Sequence, residues 1–150
     1  MLKEKITADI KEAMKSGAAE RLGVLRMLSS AIGNRKIEKR AKTGKDEDLT
    51  DDEVMEVIGK EAKKRKESIA VFVSGGRSDL AAQEEKELVI LGAYLPAQMS
   101  EADTVAAVTR IVDAAPVKEL GPVMKAVMAE LKGKADSSLV SRLVKERLGA

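Results

Sequence analysis

The sequence predicts an all-α protein, and two observations lead to this prediction. Apolar residues recur at helical spacing along almost the whole chain, and no stretch alternates apolar and polar residues for long enough to suggest a β-strand. Glycines, prolines and side-chain caps divide the periodic sequence into about four helices followed by about three shorter ones. We therefore expect an N-terminal helical subdomain over residues 1–95 and a small C-terminal three-helix bundle over residues 96–150.

The first four helices are placed by their ends and by their apolar positions. The first should end at Ser16-Gly17, because glycine readily adopts the left-handed conformation that closes a helix. The second becomes strongly polar in the segment NRKIEKRAKTGK and should extend beyond the core. Thr50 and Glu53 form a capping box for the third, which should stop at Gly75-Gly76, and a fourth should run from about residue 78 to 93. The apolar positions expected to face the core are Leu2, Ile6, Ile10 and Met14, then Leu22, Leu25, Leu28 and Ile32, then Val54, Val57, Ile58, Ile69 and Phe72.

The last three helices follow a break at Pro96, which lacks an amide proton and disfavours helical geometry in the residue before it. Ser100 should cap the fifth helix, Gly121-Pro122 should start the sixth, and Asp136 should cap the seventh. The apolar positions of these helices are Val105, Val108, Ile111 and Val112, then Val123, Met124, Val127, Met128 and Leu131, then Leu139, Val140, Leu143, Val144 and Leu148.

Tyr94 is the only tyrosine of the chain and stands two residues before Pro96. We expect it in the last turn of the fourth helix, with its ring against both subdomains and its hydroxyl reaching water or a carbonyl group.

The composition argues against several kinds of catalytic site. The chain has no histidine and no cysteine, so a Ser-His-Asp triad, a Cys-His pair or a histidine zinc site cannot be built from it alone. The phosphate-binding loop motif that follows a strand is absent. We predict no catalytic residue, no cofactor and no metal site. The acidic run DEDLTDDE could bind a divalent ion, but carboxylates at a helix N-terminus explain it more simply.

Charge and hydropathy limit the partners. The 27 basic and 25 acidic residues give a net charge of only +2, and no apolar run is long enough to cross a bilayer. The N-terminus alternates charged and apolar residues where a signal peptide would carry an apolar block. We expect a cytoplasmic protein that binds neither membrane nor DNA.

Two groups of basic residues are candidates for contact with RNA. The first lies on one side of the polar end of the second helix, although cations also suit a helix C-terminus without any ligand. The second surrounds the turn between the last two helices. A third basic run, KEAKKRKE, is better explained as a solvated face with Glu56–Lys60, Glu61–Arg65 and Lys63–Glu67 pairs. The candidates are Arg35, Lys36, Lys39 and Arg40 in the first group, and Lys125, Lys132, Lys134, Arg142 and Lys145 in the second.

Three segments, YLPAQMS, GPVMKAVMAELKGKAD and SRLVKERL, resemble the GatB/YqeY family, and the whole chain is similar to its stand-alone YqeY-like members. Pro122 stands where that family often has lysine, and Ser137 where it often has glycine. The resemblance implies a helical N-terminal subdomain before a small helical one. It also implies a relation to the tail of the B subunit of tRNA-dependent amidotransferases, the part that holds the tRNA.

The resemblance implies a non-catalytic helical module that binds the shape and backbone of tRNA through basic side chains, alone or beside an aminoacyl-tRNA or amidotransferase enzyme. The chain has few aromatic residues on which single-stranded bases could stack, which agrees with backbone contacts. The alternatives are a protein-protein adaptor in aminoacyl-tRNA metabolism and, as the family label implies, a carbon-nitrogen ligase with glutamine as amido donor.

Overall fold

A computed structural model describes residues 1–149, and in these residues the all-α prediction is confirmed. The chain divides into two compact units, Met1–Leu95 and Pro96–Ala150. Ala150, where the predicted second subdomain ends, lies outside the described residues. No helix in the described part of the chain is long and apolar enough to cross a membrane. The helices are α1 (Leu2–Ser16), α2 (Ala19–Thr43), α3 (Asp51–Ser74), α4 (Ser78–Gly92), α5 (Glu101–Ala114), α6 (Leu120–Leu131) and α7 (Ser137–Leu148).

The predicted helix ends of the first unit are confirmed. Gly17 closes α1 with a φ of 71°, and Gly76 follows α3 with a φ of 72°, both in the left-handed region. At the start of α3 the Thr50 hydroxyl accepts a hydrogen bond from the Glu53 amide at 3.2 Å. The Glu53 carboxylate accepts one from the Thr50 amide at 2.8 Å, which completes the capping box.

The core of the first unit contains most of the predicted apolar positions, with some corrections. Met14 is 56% exposed, because the buried line of α1 passes through Ala13 instead. Ile69 and Phe72 are only half-buried and lie outside the core cluster, to which α3 contributes no residue beyond Ile58. Leu22 is also half-buried. The buried cluster consists of Ile6, Val24, Leu25, Leu28, Ile32, Leu49, Val54, Val57, Ile58, Leu91 and Tyr94.

Tyr94 is buried in this core and is tied to α1. It lies in the turn after α4, not in its last helical turn, and its amide donates to the Leu91 carbonyl at 3.1 Å. The prediction for its hydroxyl is wrong, because the hydroxyl donates to the carboxylate of Asp9 at 2.5 Å. Lys5 donates to the same Asp9 oxygen at 3.1 Å, and Arg21 lies 3.7 Å from it. A buried aspartate is thus matched by one hydroxyl and two cations.

The Tyr94 phenol should ionise at unusually high pH. Burial raises its pKa to about 12, and its hydrogen bond to Asp9 and the charge of that carboxylate act in the same direction. Since neither tryptophan nor a second tyrosine is present, tyrosinate absorbance reports this group alone. We expect a midpoint near pH 12 in the folded protein and near pH 10 in denaturant, where the ordinary tyrosine value applies.

The same titration defines a pH window for stability and a control. Folding raises the pKa of this tyrosine, so the protonated phenol adds to the free energy of unfolding. This contribution is complete below about pH 10 and is lost as the pH rises through the pKa of the folded state. Asp9→Asn should lower the native midpoint, because it removes the negative charge that opposes ionisation. A native midpoint close to that of the denatured chain, with helical circular dichroism intact, would contradict the buried pair.

The second unit has its own core and its own caps. The Ser100 hydroxyl accepts from the Asp103 amide at 3.1 Å, as predicted. Val105 is 40% exposed and therefore wrongly predicted as a core residue. Thr104 takes its place in the buried line of α5, and its hydroxyl donates to the Ser100 carbonyl at 2.8 Å. The buried cluster consists of Val108, Val112, Val123, Val127, Leu131, Val140 and Val144, with Met124 and Met128 packed against it.

Candidate nucleic-acid interface

The turn between α6 and α7 is held in place by backbone contacts within the second unit. Gly133 has a φ of 78°, in the left-handed region, so the chain can reverse direction there. The Met99 amide donates to the Lys134 carbonyl at 2.8 Å, and the side-chain amide of Gln98 donates to the Gly133 carbonyl at 2.9 Å. The segment after Pro96 therefore fixes the backbone from which Lys132 and Lys134 extend.

A shallow surface depression lies at the start of α7. Asp136 caps the helix, its carboxylate accepting from the Ser138 amide at 3.2 Å. The depression is lined by Ser137, Ser138, Ser141, Arg142 and Lys145. The depression thus brings Arg142 and Lys145 together with three serines.

Three cations of the second unit are engaged in specific contacts. Arg110 makes a bidentate pair with Glu130 at 2.8 Å. Arg147 contacts Asp113 at 2.7 and 3.0 Å, and these hydrogen bonds lower the pKa of the Asp113 carboxyl. Lys118 donates to the carbonyls that end α5. Arg110 and Arg147 thus connect neighbouring helices of the unit, and Lys118 caps the end of α5.

The sequence-predicted cations of this unit are mostly outside such pairs. Lys125, Lys134 and Lys145 are exposed, and their ammonium groups make no ion pair with residues 1–149. Arg142 lies 3.8 Å from Glu101 and 3.9 Å from Glu146, both beyond hydrogen-bonding distance. Lys132 is exposed but interacts within the chain. The surface therefore keeps three lysines and an arginine available to an anion.

In the first unit the four predicted cations separate into two kinds. Lys36 contacts Asp48 at 2.9 Å and Asp46 at 3.7 Å. Lys39 donates to Glu53 at 2.8 Å. Arg35 and Arg40 have no ion-pair partner in the described chain. Lys36 and Lys39 hold the segment between α2 and α3, which leaves the two arginines as the available groups.

The acidic run of this segment is used for folding. Hydrogen bonds from Lys36 and Lys3 to Asp48 lower the pKa of that carboxyl to about 2. The hydrogen bond from Lys39 likewise lowers the pKa of Glu53. Asp51 accepts from the Leu2 amide at 3.0 Å. Among residues 1–149 no group of three acidic side chains is placed to hold a metal ion.

The sequence did not predict the structural roles of two charged residues, Asp9 and Arg65. Asp9 was not singled out, although an acid at the i+3 position from Ile6 on an apolar stripe is a signal of a buried partner. Arg65 was expected on a solvated face but is only 5% exposed. Its predicted pair with Glu61 is present at 3.1 Å, and Glu87 on α4 adds a second at 3.2 Å.

The fold and these surfaces define a small all-α protein of two units with exposed cations on its helices. The chain belongs to the YqeY family, whose profile, described as Yqey-like protein, matches residues 3–148. It is also similar to altered inheritance of mitochondria protein 41, mitochondrial, from Kluyveromyces lactis. The two are 36% identical over 86 residues, which are 57% of this chain and 44% of the relative. The matched region is therefore less than half of that relative.

Proposed function

We propose that this protein is a tRNA-binding helical module without a catalytic site of its own, related to the tail of the amidotransferase B subunit. The observation that carries the proposal is the set of cations without an ion pair in the described part of the second unit, Lys125, Lys134 and Lys145, the last of which lines a depression together with Arg142. Acidic groups of the same unit neutralise Arg110 and Arg147 but form no ion pair with the three lysines, and they contact Arg142 only at 3.8 and 3.9 Å. Membership of the YqeY family agrees with this function.

The chemistry of the second unit favours contact with a folded RNA backbone. Residues 96–150 contain no phenylalanine, tyrosine or tryptophan, so bases have no aromatic ring on which to stack. Lysine ammonium groups and serine hydroxyls can donate to phosphate oxygens without reading the bases. Binding of this kind is sensitive to salt and, with few contacts, weak, about micromolar or weaker at physiological salt.

Fluorescence anisotropy with bulk tRNA at low and moderate salt tests the proposal. The triple variant Lys125→Glu/Lys134→Glu/Lys145→Glu should bind at least about 10-fold more weakly than the wild type, because three phosphate contacts become repulsive. Lys11→Glu/Lys66→Glu/Lys86→Glu is a matched control, since it changes the net charge equally at exposed, unpaired lysines of the first unit. No binding at low salt, or equal loss in both variants, would refute the assignment.

One observation favours a second candidate, a protein-protein adaptor. An apolar groove lies between α5 and α6, with Ile111, Pro116, Val117, Pro122 and Ala126 among its lining residues. Ala126→Glu would place a charge in this groove from an exposed helical position. An adaptor should then lose a partner that had survived nuclease treatment, whereas tRNA affinity should stay unchanged.

A further inference from the structure

Helix α2 presents one face that no other part of the first unit covers. The residues at positions 26, 30, 33, 37 and 40 are spaced by four, three, four and three, so they lie along one side of the helix. All five, Arg26, Ser30, Gly33, Ile37 and Arg40, are exposed, whereas Leu25, Leu28 and Ile32 are buried on the opposite side. We call these five residues the outer face of α2.

The charge of this face is entirely positive. Arg26 and Arg40 stand at its two ends, and neither has an ion-pair partner among the described residues. The two acidic residues of α2 are not on it: Glu20 accepts from the Gln83 amide at 3.0 Å, and Glu38 is rotated about 100° from Ile37. A second copy of the same face would be repelled, whereas an anionic occupant would be complementary in charge.

The polar centre of the outer face favours a nucleic acid over an acidic protein helix as the anionic partner. A docked acidic helix would need apolar anchors at successive turns, but the face offers only Ile37. Ser30 supplies a hydroxyl donor, and Gly33 has open space around the position of a Cβ atom, which permits close approach of a backbone. These features suit the ribose and phosphate groups of a nucleic acid better than a protein helix.

The spacing of the arginines favours a double helix. Positions 26 and 40 are 14 residues apart, which is about 21 Å along an α-helix. Two groups that extend outwards at this separation match distant phosphates of a rigid backbone better than adjacent ones. Double-stranded RNA is recognised in this manner, through shape, phosphates and 2′-hydroxyls.

We propose that the outer face of α2 is a second contact surface, for the sugar-phosphate backbone of double-stranded RNA, with Arg26 and Arg40 as its phosphate ligands. The inference rests on the proposed function in that it takes the same class of partner, but it uses a different unit and different residues. The candidate RNA-contacting residues of α2 also change. Lys36 and Lys39 are paired with acidic residues and are left out, and Arg26 joins Arg40 in the proposed surface.

The test uses the full chain and a fluorescently labelled RNA hairpin with two helical turns of stem. Arg26→Gln/Arg40→Gln should weaken binding about 10-fold at low salt, and the slope of log K against log salt should fall by roughly one to two. The control Lys11→Gln/Lys66→Gln should change affinity less than about twofold. Gly33→Leu tests contact without a charge change, because leucine strengthens the helix but blocks close approach; it should weaken binding with the melting temperature maintained.

The outcomes separate this inference from the function proposed above. Unchanged hairpin binding in both α2 variants overturns it, even if the Lys125/Lys134/Lys145 variant has lost tRNA. Loss in the α2 variants alone supports it and removes the second unit as the main site. If labelled polyglutamate, but not the hairpin, loses affinity in Arg26→Gln/Arg40→Gln, the face binds an acidic protein segment and the RNA assignment is wrong.

Discussion

Replacing Tyr94 by alanine is expected to lower the free energy of unfolding of the first unit by about 3–5 kcal/mol. The ring is buried in the core cluster with Leu25 and Leu91, so truncation removes an aromatic side chain and leaves a cavity. The Asp9 carboxylate also loses the hydroxyl that donates to it at 2.5 Å. Because Lys5 and Arg21 remain beside it, Asp9 should stay ionised. Urea denaturation followed by far-ultraviolet circular dichroism measures the change.

Tyr94→Phe separates the packing of the ring from the hydrogen bond. It keeps the aromatic volume and removes only the hydroxyl, so about 1–3 kcal/mol should be lost, as for a bond to a charged group. Asp9→Asn gives a further check, because Tyr94 then has a neutral acceptor. Truncation of a buried aromatic ring typically costs well over about 1 kcal/mol. If the free energies of unfolding of Tyr94→Ala and the wild type differ by less than this, the ring does not belong to the core.

The helix ends were predictable from sequence because local chemistry determines them. A left-handed glycine at position 17, the reciprocal bonds of Thr50 and Glu53, and the serine cap at position 100 all involve residues at most four apart. Each satisfies backbone groups that a helix end leaves unpaired. The same short range explains why the boundaries of α1 and α3 agree closely with the sequence pattern.

The exceptions involve residues that are distant in sequence. Asp9 and Tyr94 are 85 positions apart, and Arg65 and Glu87 are 22 apart. Hydrophobic periodicity predicts that Asp9 and Arg65 face solvent, because the pattern contains no information about a polar partner on another helix. Composition identified Tyr94 as unusual, but only the fold shows that it satisfies a buried carboxylate.

Contacts between residues distant in sequence also limited the prediction of the candidate site. Sequence alone found the basic residues of α2 but could not tell which were neutralised. Lys36 and Lys39 differ from Arg40 because the chain turns after α2 and brings Asp48 and Glu53 back to them. Internal ion pairs therefore decide which basic residues of α2 remain without an acidic partner, and these pairs depend on residues more than eight positions away.

Arg65 joins α3 to α4 through an ion pair with Glu87, and Arg65→Ala should cost about 3–5 kcal/mol. The guanidinium is buried and contacts Glu61 at 3.1 Å and Glu87 at 3.2 Å, while it also donates to the Glu61 carbonyl at 3.0 Å. Without it Glu87 loses its ion pair, and Glu61 keeps only the pair with Lys64 at 3.1 Å. Chemical denaturation at neutral pH measures the loss.

A compensating variant tests whether charge, not lost volume, is responsible. Arg65→Met with Glu61→Gln and Glu87→Gln fills a similar space and removes the unpaired charges, so it should recover much of the stability. Arg65→Met alone should not. If the single and the triple variant are equally unstable, the loss comes from packing of the arginine stem.

Acid provides an independent check on the Arg65 network. Burial opposes ionisation of Glu61, but hydrogen bonds from Lys64 and Arg65 prevail, and its pKa lies below the usual 4.5. Its contribution to stability is therefore present above about pH 4.5 and is lost as pH falls through the folded value. In Arg65→Ala that pKa should rise, because one of the two cations that favour the ionised carboxylate, Lys64 and Arg65, is gone. Protonation of Glu61 then removes the uncompensated charge from the variant. The difference in free energy of unfolding between wild type and Arg65→Ala should therefore become smaller from pH 7 to about pH 4.5. A constant difference would show that unpaired carboxylates are not its cause.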